Sequence, residues 1–426
     1  MKKTILALVL FLQITLLNAQ ELYLHCGAIL DVESGKLLKE QTIVVNDNLI
    51  QEVVSGYSIP VSDTIKVVDL KNSVVLPGLI DLHVHIESET NSQQYLSRFT
   101  DNDADVAFKS AVYANRTLMA GFTTVRDLGG TGVNISLRNA INNGLLKGPR
   151  IFTCGKAIAT TGGHADPTNG RRKELMGDPG PDMGVVNSPE EARKAVRQRY
   201  KNGADVIKIT ATGGVLSVAK NGSNPQFTIE EIKAITSTSK DYGMLTAAHA
   251  HGDEGMQRAV LGGIKTIEHG TFMSEETMEL MKKYNTYLVP TITAGKYVAE
   301  KASVKGFYPD VVAGKAKEVG PQIQGTFAKA YKKGVPIAFG TDAGVFPHGQ
   351  NAKEFGYMVE AGMPALKAIQ SATLINAALL DKPNELGNIK TGYFADIIAV
   401  KANPLENIKT LEDVIFVMKN GEIVKN

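Results

Sequence analysis

The stretch Leu79-Ile-Asp-Leu-His-Val-His-Ile86 decides how the rest of the chain is interpreted. Its two histidines, His83 and His85, are two residues apart, and residues i and i+2 of a β-strand point to the same face. Apolar residues flank them on both sides, as in a strand of a buried parallel sheet. We therefore expect two imidazoles side by side at the end of a buried strand. This is half of a metal site, unless both rings are simply hydrogen-bonded within a core.

Short apolar segments alternate with helical patterns from about residue 80 to residue 384. The alternation predicts an α/β fold, a (β/α)8 TIM barrel whose active site lies at the carboxyl ends of the strands. A doubly wound open sheet would show a similar alternation, but polar residues at strand ends all along the series favour closure. The predicted strands are Leu79–Ile86, Thr123–Leu128, Arg150–Lys156, Asp205–Thr212, Leu245–His251, Thr266–His269, Tyr287–Thr293 and Val335–Asp342. The predicted helices include Ser188–Asn202, Thr228–Tyr242, Glu275–Tyr284, Ala328–Lys333 and Met363–Leu380.

The two ends of the chain have a different pattern, with short antiparallel strands separated by turn residues such as Asn420-Gly421. Neither end has enough strands to be stable alone. We expect residues 20–79 and 385–426 to pair into one small β-sandwich, which the barrel at 80–384 interrupts.

The first residues resemble a secretory signal. Lys2 and Lys3 precede an apolar run from Ile5 to Leu17, and the small residue Ala19 follows. This order of charge, apolar run and small residue predicts a signal peptide at 1–19 and export to the periplasm or the extracellular space. The alternative is a membrane anchor, but the run is short for a bilayer span.

Charge and cysteine content exclude several classes of protein. Without residues 1–19, 44 basic residues face 44 acidic ones, which is not the charge balance of a nucleic-acid-binding protein. Cys26 and Cys154 are too few for a disulfide scaffold or a cysteine zinc finger, although one bridge between them stays open. No later segment is apolar enough to span a membrane. The expected partner is a small molecule, and the sequence leaves homo-oligomer formation open.

Further candidate metal ligands follow at the ends of later predicted strands. Strand five ends in His249-Ala-His251, strand six in His269, and strand eight in Asp342. Imidazole and carboxylate ligands suit zinc, and a catalytic zinc site keeps a position open for water. One histidine at a strand end is weak support for a metal site, but together these residues predict a metal centre at the barrel mouth.

Lys208 lies inside the apolar run Val206-Ile-Lys-Ile209. A buried lysine without a partner is costly, and burial lowers its pKa. The neutral amine could then react with carbon dioxide to form a carbamate, an anion able to bridge two metal ions. The alternatives are a lysine that pairs with Asp205 or one that extends to the barrel mouth.

Two more histidines lie in predicted loops. His164 follows Gly162-Gly163 after strand three, where it could donate a hydrogen bond to a carbonyl oxygen as that carbon becomes tetrahedral. His348 follows strand eight and could contact the substrate. For each, the alternative is a loop histidine without a chemical role.

Taken together, these motifs resemble those of the amidohydrolase superfamily, and within it the branch of Xaa-Pro and Xaa-Arg dipeptidases, next to imidazolonepropionase-like proteins. The resemblance covers nearly all of the chain after residue 19. It rests on residues 76–85, 121–127, 161–166, 203–208, 211–214, 249–252, 267–270, 339–344 and 395–400.

The resemblance implies a binuclear zinc centre that hydrolyses the amide bond of a dipeptide or an N-acyl amino acid. His83, His85 and Asp342 would bind one ion, His249 and His269 the second, and a carbamate on Lys208 would bridge the ions together with a hydroxide. Asp342 would transfer the proton. Alternatives are a cyclic-amide hydrolase, a deaminase or a non-catalytic relative. A tyrosine expected near the strand-four loop is replaced by Gln226-Phe227, so Arg171 and Arg172 are the candidates to bind the substrate carboxylate.

Overall fold

The computed structural model describes residues 21–62 and 65–426. The predicted signal peptide at 1–19 lies outside the described residues and stays a prediction. Within the described ranges, no helix combines the length and the apolar character needed to cross a bilayer.

The strands of the described ranges are β1 (Glu21–Leu30), β2 (Leu37–Asn46), β3 (Leu49–Ser55), β4 (Lys66–Pro77), β5 (Leu79–Val84), β6 (Phe122–Asp127), β7 (Arg150–Thr153), β8 (Val206–Thr210), β9 (Leu245–Ala250), β10 (Thr266–His269), β11 (Tyr287–Val289), β12 (Ile397–Val400), β13 (Phe416–Lys419) and β14 (Glu422–Lys425).

The helices are α1 (Gln94–Thr100), α2 (Asp103–Met119), α3 (Val133–Asn142), α4 (Lys173–Met176), α5 (Pro189–Lys201), α6 (Ile229–Asp241), α7 (Asp253–Leu261), α8 (Glu275–Tyr284), α9 (Ile292–Lys301), α10 (Asp310–Val319), α11 (Ile323–Lys332), α12 (Lys353–Glu360), α13 (Ala365–Gln370) and α14 (Asn376–Leu379). A π-helical turn, Ser371–Ile375, joins α13 to α14, and a short 3₁₀ helix spans Ile408–Glu412.

Both ends of the chain contribute to one seven-stranded sheet, in the order β14-β13-β12-β4-β1-β2-β3. The ends meet where β4 pairs antiparallel with β12, with Val75 opposite Ala399. The sheet buries its own apolar cluster, which includes Leu24, Ile43 and Phe416. Pairing between the chain ends therefore supplies strands that neither end has alone. The predicted domain boundaries stay a prediction.

The middle of the chain forms two parallel sheets, β5-β6-β7 and β8-β9-β10-β11, with helices between the strands. Isolated pairings extend from the edges of both sheets. On one side the backbone at 336–343 bonds to both β11 and β5, for example from Ala338 N to Leu288 O (2.9 Å) and from Leu82 N to Phe339 O (3.0 Å). On the other side, Ile158 N donates to Lys208 O (2.8 Å). The fold is thus mixed α/β, with the parallel strands in sequence order.

The predicted eighth strand, Val335–Asp342, is wrong as a regular strand. It forms single bridges instead, at Ile337 and, just beyond its predicted end, at Ala343. Pro336 contributes to this because proline has no N–H to donate to a ladder. The predicted strand Tyr287–Thr293 is also too long, since it ends at Val289 and helix α9 begins at Ile292.

Several helices begin where their capping residues predict. Ser188 accepts a hydrogen bond from Glu191 N, with Pro189 at the first helical position of α5. Thr228 and Glu231 form a capping box at the start of α6.

Cys26 and Cys154 are free and buried, so the disulfide that the sequence left open is not formed.

The start of helix α9 is held by a distant carboxylate. Glu354 is completely buried on α12 and accepts hydrogen bonds from Ile292 N (2.8 Å), Thr293 N (2.7 Å) and Thr293 Oγ1 (2.6 Å). The two N–H groups belong to the first helical turn, where backbone N–H groups have no partner within the helix. Glu354 therefore serves as a cap supplied from another element.

We predict that Glu354→Gln lowers the free energy of unfolding by roughly 1.5–3 kcal/mol, because the amide nitrogen would face a buried backbone donor. The shift of the urea midpoint relative to wild type measures this. Glu360→Gln, an exposed position at the end of the same helix, is the matched control and should shift it by less than about 0.5 kcal/mol. Equal effects of the two substitutions would contradict the capping role.

Candidate metal centre

The carboxyl ends of β5 and the eighth-strand segment bring three predicted ligands together. Asp342 Oδ1 lies 3.4 Å from His83 Nε2 and 3.3 Å from His85 Nε2. The i, i+2 spacing on β5 places both rings toward the same carboxylate. Asp342 reaches this position with a φ of 62°, in the left-handed region that non-glycine residues seldom adopt.

A second group of ligands faces the first. His249, His251 and His269 each place one ring nitrogen within 4.8 Å of the other two, and one ring nitrogen from each of His83 and His269 lies within 4.8 Å of the other and of an Asp342 carboxylate oxygen. His269 belongs to both groups, and it too has a positive φ, 74°. The two groups therefore form one continuous cluster in which His269 is shared.

The donor atoms of this cluster fit a divalent metal. His83 Nε2 and Asp342 Oδ1 are buried and make no hydrogen bond within the described residues. Burial lowers the pKa of His83, His249 and His269 well below 6.5, so these rings are neutral at physiological pH and keep a free lone pair. Neutral imidazoles and carboxylate oxygens are the protein groups that bind zinc and similar ions.

Neighbouring groups orient the histidine rings. His83 Nδ1 donates to Glu268 Oε2 (2.9 Å), and Arg126 Nη2 donates to Glu268 Oε1 (2.9 Å). Because Nδ1 of His83 is engaged, Nε2 is left to face the cluster. His85 Nδ1 likewise donates to Gly129 O (2.8 Å). Such outer contacts fix the tautomer and the direction of a ligating imidazole.

The sequence prediction missed two of these residues and left a third unassigned. It counted His251 beside His249 among the candidate ligands but gave it to neither ion, although the same i, i+2 spacing had identified His83 and His85. Glu268 precedes His269, and Arg126 lies within β6; both are completely buried. A buried arginine and a buried glutamate on different predicted strands are a signal that could have suggested an ion pair.

Lys208 is buried on β8, in the same cavity. The alternative pairing with Asp205 is not formed, because Asp205 Oδ2 binds Arg138 Nη1 (2.6 Å) instead. Within the described residues no carboxylate oxygen lies within 4.0 Å of the Lys208 amine. Burial lowers its pKa, while the nearby charge of Glu268 acts in the opposite direction. Both the position and the direction of the pKa shift suit an amine that reacts or binds in this centre.

His164 lies on a loop that faces the second ligand group. Its ring stacks on His249 with the centroids 4.4 Å apart, and its Nδ1 is buried without a partner in the described chain. His164 N donates to Gln226 Oε1 (2.8 Å), which ties this loop to the loop after β8. Gly214 passes so close that a Cβ there would lie 2.3 Å from the ring. The ring is therefore tightly positioned beside the ligand cluster.

The three remaining candidates for substrate binding differ in whether they reach the cavity. Arg171 lines the cavity that holds the cluster, which has a volume of about 790 Å³. Arg172 is exposed, outside that cavity, and pairs with Glu174. His348 is buried, and both ring nitrogens are used, by Ser88 O (2.9 Å) and Thr117 Oγ1 (3.3 Å). Of these three candidates, all of which lie in the described part of the chain, only Arg171 lines the cavity.

Comparison with known proteins matches residues 74–424 to the model of the amidohydrolase family. A solved Xaa-Pro dipeptidase with methionine bound in its active site is 52% identical, with a TM-score of 0.92, and covers 95% of this chain and 100% of its own. A prolidase solved with N-methylphosphonate-L-proline is 31% identical, with a TM-score of 0.87 and coverage of 95% and 100%. The ochratoxinase of Aspergillus niger is 33% identical over 422 residues, which span 92% of this chain and 84% of that protein.

These matches confirm the resemblance predicted from the motifs, and with it an enzyme that hydrolyses carbon–nitrogen bonds. The matched region begins within β4 and extends into β14, so it includes every residue of the ligand cluster. The chain belongs to the amidohydrolase family.

Proposed function

We propose that the protein is a binuclear zinc hydrolase that cleaves the amide bond of a dipeptide or an N-acyl amino acid. The observation that carries this proposal is the pair of buried ligand groups that share His269. Similarity to a Xaa-Pro dipeptidase and to a prolidase that binds a proline phosphonate supports the substrate class.

We also propose that the two parallel sheets close into a (β/α)8 barrel through the segments at 336–343 and 153–159. The hydrogen bonds from both segments to strands of either sheet support closure. In such a barrel the cluster would lie at the carboxyl ends of the strands, where barrel enzymes place their catalytic residues. Export through residues 1–19 remains a further proposal, based on the sequence pattern alone.

In this proposal His83, His85 and Asp342 hold one ion, and His249 and His269 hold the other, with His251 beside the second site. Lys208, as the neutral amine, would add to carbon dioxide and release one proton, which yields a carbamate able to bridge both ions. When bound, the two ions would polarise the amide carbonyl and generate a nucleophile from water near neutral pH.

The side chains around the ions would guide the reaction. Asp342 Oδ1 has no hydrogen-bond partner within the described residues, which supports the role proposed for it, to accept a proton and pass it to the leaving nitrogen. His164 would donate a hydrogen bond to the carbonyl oxygen as negative charge develops there. Arg126 and Glu268 would keep the His83 ring in its orientation during the reaction.

A panel of dipeptides and N-acyl amino acids tests the proposed function. Zinc-loaded protein should release free amino acid from at least one Xaa-Pro or Xaa-Arg dipeptide, and a chelator should stop the release. If metal-loaded, folded protein released no amino acid from any member of the panel, while it hydrolysed a cyclic amide or deaminated an amine, the dipeptidase assignment would be wrong.

We predict that Lys208→Ala abolishes hydrolysis and lowers metal content from about two ions per chain, because the bridging anion is lost. Short carboxylic acids should partly restore both. Lys156→Ala, which removes another lysine of the same cavity, should retain wild-type metal content by elemental analysis. Normal metal content and turnover in Lys208→Ala would exclude the carbamate.

We predict unequal effects for the two groups that act on the substrate. Asp342→Asn should reduce kcat by several orders of magnitude, since the proton acceptor is lost. His164→Asn should cost roughly 10²–10³ in kcat, as expected for one oxyanion donor. Steady-state kinetics with metal content checked in each variant would measure both. Near-normal kcat in metal-replete Asp342→Asn would rule out the proton transfer.

A further inference from the structure

Two arginines line the cavity without a carboxylate partner. Arg98 lies on α1 with its Cζ 5.3 Å from the centroid of the Tyr95 ring, and Arg171 lies before α4 with its Cζ 4.7 Å from the centroid of the Phe99 ring. In the part of the chain that the structure describes, neither guanidinium has a carboxylate oxygen within 4.0 Å. Each lies instead against an aromatic face, and the one hydrogen bond that either guanidinium makes within the described residues is the weak one from Arg171 Nη1 to Met176 Sδ (3.4 Å), so most of their N–H groups are available.

The charges of the two guanidiniums act on each other. Partial shielding from solvent lowers the pKa of Arg98, and the positive charge of Arg171 lowers it further. Like charges that face one cavity repel each other, and a negatively charged ligand between them would relieve this repulsion.

The protein does not supply that anion from the nearby acids. Glu87 accepts hydrogen bonds from the backbone of Thr131 and Asn134, both at 2.6 Å. Other acids that line the cavity are also engaged: Glu89 with Arg116, Asp101 with Lys109, and Asp166 with Gly162 and Thr168. These carboxylates are engaged locally, and Asp103, an exposed acid that also lines the cavity, forms no ion pair with either arginine within the described residues.

The arginines are connected to the catalytic part of the cavity. Tyr95, on which Arg98 rests, donates from its hydroxyl to Leu216 O (3.1 Å). Leu216 belongs to the loop whose Gly214 packs against the His164 ring. Arg171 follows Gly170, which passes so close to that same loop that a Cβ there would lie 2.7 Å from Val218 Cγ2. One loop thus links both arginines to His164, beside the ligand cluster.

We propose that Arg98 and Arg171 form a subsite that binds a carboxylate on the amino acid released by hydrolysis. The proposal deepens the proposed function and rests on it. Guanidinium groups suit this role because their planar N–H donors match both oxygens of a carboxylate. The carboxylate comes either from the free carboxyl terminus of the substrate or from an acidic side chain.

Three substrates separate these sources: Ala-Pro, Ala-Pro amide and Ala-Asp amide. With a terminal carboxylate as the ligand, Arg98→Met and Arg171→Met should each raise KM for Ala-Pro about 10–100-fold, with kcat within about threefold. Both variants should leave the kinetics of the two amides unchanged. A raised KM for Ala-Asp amide would instead identify a side-chain carboxylate as the ligand of the same subsite.

Lys173→Met is the matched control, because it removes a positive charge two residues from Arg171 at an exposed position outside the cavity. It should leave KM for all three substrates unchanged. If the two arginine variants behaved like Lys173→Met, with the wild type still hydrolysing Ala-Pro, the subsite would be overturned while the proposed function stands.

Calorimetric titration with L-proline and L-prolinamide tests the subsite without turnover. Metal-loaded wild type should bind L-proline at least tenfold more tightly than L-prolinamide, and both arginine variants should lose this preference. The result would support the subsite even if no dipeptide were hydrolysed, in which case the proposed function alone would fail. Equal affinity of the wild type for both probes would exclude a terminal carboxylate as the ligand, and together with an unchanged KM for Ala-Asp amide in the arginine variants it would overturn the subsite.

Discussion

The structure depends on the burial of one cluster of imidazoles with a carboxylate and an amine. Removal from water keeps the histidines neutral: burial lowers the pKa of His251 to about 3 and that of His85 to about 4. Burial also raises the pKa of Asp342 to about 8. Each of these groups would be better solvated if it were exposed, so their convergence needs a ligand that compensates for lost hydration. A divalent cation meets that need because it binds neutral nitrogens and carboxylate oxygens together.

The surrounding fold keeps the cluster in place. The guanidinium of Arg126 is buried between β5 and β10. Its Nε donates to Leu82 O (2.6 Å) and its Nη1 donates to Thr266 Oγ1 (3.2 Å). Through Glu268 this interior ion pair reaches the His83 ring. A buried ion pair contributes little net stability. Here the ion pair instead fixes the orientation of the His83 ring as a metal ligand. The direction of a ligating ring is thus set by groups outside the ligand cluster itself.

The sequence predicted best those features that local spacing determines. Strand Thr266–His269 and helix Glu275–Tyr284 have their predicted bounds, since apolar periodicity and the cap at Ser274 define them locally. The prediction of a regular eighth strand was wrong because Pro336 has no N–H to donate and because this segment divides its hydrogen bonds between β11 and β5. The contacts of Glu354 with α9 and of Glu268 with Arg126 join residues 61 or more positions apart, and local sequence spacing cannot predict such pairs. For the same reason His348 was proposed to contact substrate, whereas its ring nitrogens are used within the fold.

The central claim is that this cluster is a two-metal centre bridged by a modified lysine. Anomalous diffraction from crystals of the zinc-loaded protein, recorded on either side of the zinc edge, tests it most directly. The account predicts two peaks, one at His83, His85 and Asp342 and one at His249 and His269, with density for a carboxylated Lys208 between them. A single peak, or two peaks beside an unmodified Lys208 amine, would contradict it.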